Sequence, residues 1–223
     1  MEGPQLSSKP PVKPDAPDLP AELTPVPSDV GLAGLAVEGA LLERLDFSGA
    51  AATEICLDGC RLAQVDLTGA AVGAALLRDI VVAGGSWANL RSDKMRLRRV
   101  AFRGVRMTGA TLSGASLEDV SFSDCRIDLA AFRSAGLTRV RFDGCRLDEV
   151  DFTGAKLASV QFSDCVLARA LWAEATLSRC EMRGTDISGA ANPERLRGVR
   201  MPWPDVLASA AVLAEAVGVE IVE

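Results

Sequence analysis

Apolar residues recur along this chain at intervals of five, without a slip, from Ala40 to Ala190. The central inward position, i, falls on every residue number ending in 2 or 7, from Leu42 and Phe47 to Met182 and Ile187. Of 30 such positions, 28 carry Leu, Phe, Ile, Met, Val or Trp; only Ala52 and Ser92 depart. Position i−2 is small or apolar, as at Ala40, Cys60, Val65, Ala110, Cys125, Val140, Ala155 and Val160. Between Glu38 and Asn192 lie 39 Asp, Glu, Lys and Arg residues, and none stands at i or i−2. Burying an unpaired charge is costly, so these two positions in five face a continuous interior.

A period of five matches neither a strand nor a helix. It fits a chain that turns after each short extended segment, with four segments closing a square coil of 20 residues. Residues 20 apart then stack: Leu57, Leu77, Leu97, Leu117, Leu137, Leu157 and Leu177 make a leucine ladder; Phe102, Phe122, Phe142 and Phe162 make a second column; Cys125, Cys145 and Cys165 make a third. The pattern predicts a parallel β-solenoid, in which each residue meets its counterpart one strand spacing away. Position i+2 is glycine at 11 of 30 sites, as tight corners require. About 7.5 coils at roughly 4.8 Å each give a rod about 36 Å long.

Segments such as Ala110-Thr111-Leu112-Ser113-Gly114 and Val150-Asp151-Phe152-Thr153-Gly154 resemble the A(D/N)LXX pattern of the pentapeptide-repeat proteins. The resemblance implies a right-handed quadrilateral β-helix of about 7–8 coils. This chain departs from the pattern at i−1, where Asp or Asn gives way to Ala or to Arg61, Arg106, Arg126, Arg141 and Arg146.

The flanks lack the period. Residues 1–30 hold 8 of the 11 prolines and read as a flexible tail, with Leu19 to Leu35 expected to dock on the first repeats. The repeat body is assigned to 31–192 and a C-terminal helical cap to 193–223. Pro193 to Gly198 is expected to form one turn. After Pro202-Trp203-Pro204, the residues Val206, Leu207, Ala210, Leu213, Ala214 and Val217 are spaced like one face of a helix stopped at Gly218, and Val219 to Val222 could add a short strand. A solenoid must cover its open end, so Trp203 is expected over the last coil. The resemblance adds a second role for Trp203, Val206, Leu207, Ala210, Leu213 and Val217: in relatives, helices after the repeats also pair two rods end to end.

Composition narrows the chemistry. The chain has no His and no Tyr, which removes the commonest general base and the Ser-His and Cys-His nucleophile arrangements. No carboxylate or Lys cluster looks sheltered, so the chain is expected not to be an enzyme and to need no cofactor or metal. Six cysteines with no signal-like N-terminus point to free thiols in a reducing cytoplasm. The inward cysteines read as core packing rather than a zinc site, and Cys56 faces outward. No apolar run is long enough to span a bilayer. A ratio of 20 Arg to 4 Lys, with abundant Ala, Val and Gly, fits a high-GC bacterial genome.

One charge cluster stands out. Arg91, Lys94, Arg96, Arg98, Arg99, Arg103 and Arg106 all fall at outward positions within less than one coil. This belt reads first as a solvated surface paired with acids such as Asp79, Glu118 and Asp119; the alternative is a contact for an acidic partner or a phosphate backbone. Nucleic acid is the weaker of those two because no aromatic side chain stands outward beside the belt. The column Arg106, Arg126, Arg146 is expected to be balanced by Asp124, Asp143 and Asp148.

Relatives within the resembled family protect type II topoisomerases from quinolones by imitating DNA. Here residues 38–192 carry 20 acidic and 19 basic side chains, and the net charge of −6 comes mainly from the ends. Duplex DNA is far more densely negative. The expected function is therefore a rigid rod that binds an unidentified protein, with topoisomerase binding as the alternative.

Overall fold

The computed structural model describes residues 9 to 220. The five-residue pattern builds a four-sided parallel solenoid. Strands pair with their counterparts 20 residues on: Ala51–Asp58 with Ala71–Ala83, this with Arg91–Arg103, and onward through Ser116–Ser123, Gly136–Asp143 and Lys156–Ser163. The leucine ladder is in register from Leu57 to Leu177. Phe102, Phe122, Phe142 and Phe162 stack with ring centroids 4.8–5.0 Å apart, the separation that strand spacing imposes. A second aromatic stack joins Phe132, Phe152 and Trp172. It continues the column Ala52, Val72, Ser92, Leu112, so the two exceptions to the apolar rule share one side of the rod. The Ser92 hydroxyl is buried without a hydrogen-bond partner among the described residues.

Corners depend less on glycine than the sequence suggests. From Arg44 to Gly189, every i+2 residue except Glu54, Ala74 and Lys94 has a left-handed backbone, with φ between 50° and 70°. Sixteen of these are not glycine, Leu129 and Arg139 among them. Left-handed backbone costs a non-glycine residue about 1 kcal/mol. Hydrogen bonds between coils, such as Leu129 N–H to the Asp148 carbonyl at 2.9 Å, hold the conformation. At Glu54, Ala74 and Lys94 the corner is made without a left-handed residue, and strand pairing continues through it.

The rod is longer than the periodic stretch. Thr24–Pro25 pairs with Ala40–Leu41, and Glu181 bridges to Arg200, giving about eight turns. Leu32 and Leu35, both buried, close the first coil. The described part of the expected tail corrects that expectation. Residues 9–20 lie along one corner of the rod, where Asp18 N–H donates to Asp79 Oδ1 at 3.0 Å and Asp15 N–H to Asp119 Oδ1 at 3.2 Å. Pro11 is buried, and Pro20 sits against Gly39 and Gly59. Prolines removed the amide donors that a strand would need but left an extended shape that a groove can hold. The first eight residues of the expected tail lie outside the described residues.

The C-terminal segment also differs in detail. Pro193–Leu196 forms one 3-10 turn, followed by α1 (Trp203–Ala208) and α2 (Ala210–Ala216) rather than one helix. The break falls at Ser209, whose backbone leaves helical geometry at φ −99°, ψ 13°. The kink lets Val212 turn inward with Leu196, and these two buried residues, backed by Val199 and Met201, close the last coil. Trp203 does not: it is 70% exposed. Val219 and Glu220 form no strand, and the remainder of that expected strand lies outside the described residues.

Candidate interaction surfaces

Stacking separates what sequence places side by side. The seven belt residues occupy successive sides of one coil: Arg91 and Lys94 on the first, Arg96, Arg98 and Arg99 on the second, Arg103 on the third and Arg106 on the fourth. They form a ring around the rod, not a patch. Arg99 leaves the set altogether, because its Nε donates to Asp79 Oδ1 at 2.6 Å and it is half-buried. Among the described residues, the other six form no ion pair. Of the acids expected to pair with the belt, only Asp79 does so; Glu118 and Asp119 both bind Arg139.

The arginine column is balanced by a residue the sequence reading passed over. Asp128 stands 3.6 Å from both Arg126 Nε and Arg146 Nε, whereas Asp143 pairs with Arg141 and Asp148 with Arg169. Exposed pairs of this kind contribute little to stability.

The corner bearing the N-terminal segment is the most elaborate polar arrangement on the rod. Its column reads Gly59, Asp79, Arg99, Asp119, Arg139, Ser159 in coil order. Arg99 and Arg139 each bridge one coil back, to Asp79 and Asp119. The two carboxylates are buried, and Asp15 and Asp18 add backbone N–H donors. The Arg99 hydrogen bond holds the Asp79 carboxyl below the ordinary value of 3.8, and Arg139 does the same for Asp119, in each case against burial. A depressed folded-state value stabilises the fold above the unfolded pKa and is lost as pH falls through the folded one. Thermal stability is therefore expected to be flat above about pH 5 and to drop as pH falls below about 4, with a smaller acid slope in Asp79→Asn. An unchanged slope would remove this corner from the account of acid sensitivity.

The six cap-face positions divide. Trp203, Leu207, Ala210 and Val217 are exposed, Val206 and Leu213 are half-buried, and Val212, outside the set, is the buried member. Trp203 and Leu207, four apart on α1, are neighbours on the helix surface. A groove of about 600 Å³ opens on the same end, lined by Leu196, Val199, Leu213, Ala216 and Val217 with Glu194 and Arg197 at its edge.

All six cysteines are free thiols, and five of them are buried. Cys145 Sγ–H reaches the Phe122 and Asp143 carbonyls, both at 3.4 Å, and Thr185 places its hydroxyl the same way on the Phe162 and Arg183 carbonyls. The inward thiols thus satisfy corner carbonyls. Burial pushes the Cys60 and Cys180 thiols up, which keeps them protonated. Cys56, expected outward, is half-buried. Among the described residues no three His, Cys, Asp or Glu side chains converge as metal ligands, and no helix is long and apolar enough to cross a membrane.

No curated protein matches the chain. Among solved structures it is similar to HetL, a pentapeptide repeat protein involved in heterocyst differentiation regulation from the cyanobacterium Nostoc, with 18% identity, 78% of this chain and 92% of that one covered, and a TM-score of 0.31. Full-length QnrB1, a plasmid-mediated fluoroquinolone resistance protein, gives 18% identity, 85% and 100% coverage and a TM-score of 0.26. A pentapeptide repeat protein of the Arabidopsis thaliana thylakoid lumen gives 24%, 58% and 66%, and 0.26. Superpositions this loose carry no argument of their own. The sequence match is more specific: residues 88–152 and 115–191 fit the family model for a pentapeptide repeat region. The same register continues unbroken from that region back to Ala40, coil stacked on coil, so residues 88–191 are a pentapeptide repeat region set in a longer stack of the same period.

Proposed function

We propose that this protein is a non-enzymatic scaffold that works by binding protein at its C-terminal end, in the first place a second copy of itself. The observation that carries this reading is the cap: Trp203 and Leu207 stand 70% and 60% exposed on a short helix, although the coil beneath is already closed by Leu196 and Val212. Large apolar side chains left together in solvent mark interaction sites. A two-fold pair requires self-complementary surfaces, and the cap offers both apolar knobs and an apolar groove. Its six free thiols suit a reducing compartment, and a cytoplasmic location belongs to the same reading.

Sedimentation at increasing concentration tests it. The wild-type chain is expected to run as a dimer, and Trp203→Glu with Leu207→Glu as a folded monomer. A wild-type monomer across the micromolar range would sink the pairing.

The ring of six cations, without ion-pair partners among the described residues, favours a second contact, for an acidic protein surface at the middle coil. It also sets this rod apart from a duplex mimic, since the ring interrupts any continuous negative track. Titration into a gyrase supercoiling assay, with and without a quinolone, is expected to show no inhibition and no protection at large excess. Stoichiometric inhibition would instead make a topoisomerase the partner.

A further inference from the structure

The segment along the corner matches its groove in period as well as in shape. Pro11, Pro14, Pro17 and Pro20 recur at every third residue, the repeat of a polyproline II helix. The backbone N–H groups of Asp15 and Asp18 both reach the rod. In a β-strand, residues three apart face opposite sides; in polyproline II they face the same side.

The acceptors, Asp119 and Asp79, are 40 residues and therefore two coils apart. Two strand spacings are about 9.6 Å, and three residues of polyproline II advance about 9.3 Å. The two repeats are commensurate, so each Pro-Asp step falls on an equivalent corner. One further step of the same length would bring Val12 level with Ser159, but no hydrogen bond joins them, and the matched contacts are those of Asp15 and Asp18. Ser159 Oγ is buried with no partner among the described residues, and the neighbouring Pro11 is buried too. At the other end, a Cβ on Gly59 would stand 3.1 Å from Pro20 Cδ, so glycine makes room for the ring.

We propose that this corner groove is a recognition site for polyproline II segments with Pro-Asp at three-residue intervals, filled at rest by the chain's own residues 11–20. Recognition rests on register and on proline preorganisation, which lowers the entropy lost on docking. Connection to the rod supplies only a high local concentration. The inference is independent of end-to-end pairing, which uses the opposite terminus.

The test uses the full-length chain. A fluorescent peptide spanning residues 9–21 is titrated into wild type and into the variant Pro11→Gly/Pro14→Gly/Pro17→Gly, whose own segment has lost its preorganised shape. Saturable binding to the variant, at least tenfold tighter than to wild type, is expected. A peptide with one alanine inserted between Ala16 and Pro17 moves the second step off the two-coil spacing and is expected to bind at least tenfold more weakly. Equal binding of both peptides, or of neither, to a variant with wild-type circular dichroism overturns the proposal. Hydrogen exchange on the unmodified chain decides the matter if the variant misfolds. The Asp15 and Asp18 amides are expected to exchange at least tenfold more slowly than in the free peptide, and exchange at the peptide rate overturns the proposal.

Discussion

Leu137→Arg is expected to abolish folding. Leu137 is fully buried in the middle of the ladder, with Leu117 and Leu157 in register on either side. Its loss forfeits about 2–3 kcal/mol of burial, and the guanidinium that replaces it finds no carboxylate in the apolar interior. An uncompensated buried charge costs several kcal/mol more, within reach of the 5–15 kcal/mol that holds a typical domain together. A solenoid has no bypass, because each coil contacts only its neighbours and a central defect separates two short stacks. The measurement is far-UV circular dichroism with gel filtration: Leu137→Arg should give aggregated or unfolded chain, and the volume-conserving Leu137→Met a normal melt. A cooperative, wild-type-like melt for the arginine variant would reverse the inside-outside assignment.

Gly85→Ala is expected to be the most damaging single-methyl change in the rod. Gly85 occupies an inward i−2 position with φ +87°, and a Cβ there would stand 2.2 Å from the Val65 carbonyl oxygen and 2.8 Å from the Val65 nitrogen. Both are backbone atoms, so no side chain can swing away. The coils must part where Ser86 N–H donates to that same carbonyl at 3.1 Å. Strain together with the weakened ladder is expected to cost about 3 kcal/mol or more. Gly114→Ala is the control: at φ +68° with no atom within 4 Å of the added carbon, it carries only the left-handed backbone penalty of about 1 kcal/mol. Denaturant midpoints compare the two. Equal shifts would mean that backbone conformation, and not the approach of coil to coil, sets the cost at Gly85.

The core and its stacking were legible before any coordinates because burial and strand spacing act on every repeat alike. The leucine ladder, the phenylalanine column and the inward cysteines all appear where a period of 20 puts them. The second aromatic stack was equally available at Phe132, Phe152 and Trp172, and the same period identifies it. Corners were harder to read. Glycine signals a permissive backbone, but Leu129 is held left-handed by the hydrogen bond its N–H donates to the next coil, which no local propensity records.

The surfaces depended on the third dimension. Seven cations close in sequence became a ring because the chain turns three times between Arg91 and Arg106. Asp128 came to balance Arg146 across one coil, a partnership invisible at 18 residues' separation. Trp203, the residue best suited to sealing an end, was displaced from that role by a kink at Ser209 that turned Val212 inward. The proline-rich segment has the composition of a free tail, and composition measures only what a segment can bury by itself. Its prolines and the acids Asp79 and Asp119 lie in different parts of the chain, and only a stack with one strand spacing per coil sets two acceptors at the repeat of a polyproline helix. By itself the sequence determined the interior, where a single rule of burial repeats every five residues. The tertiary structure alone decided the exterior, because the contacts there join residues that share a corner of the rod and no pattern along the chain.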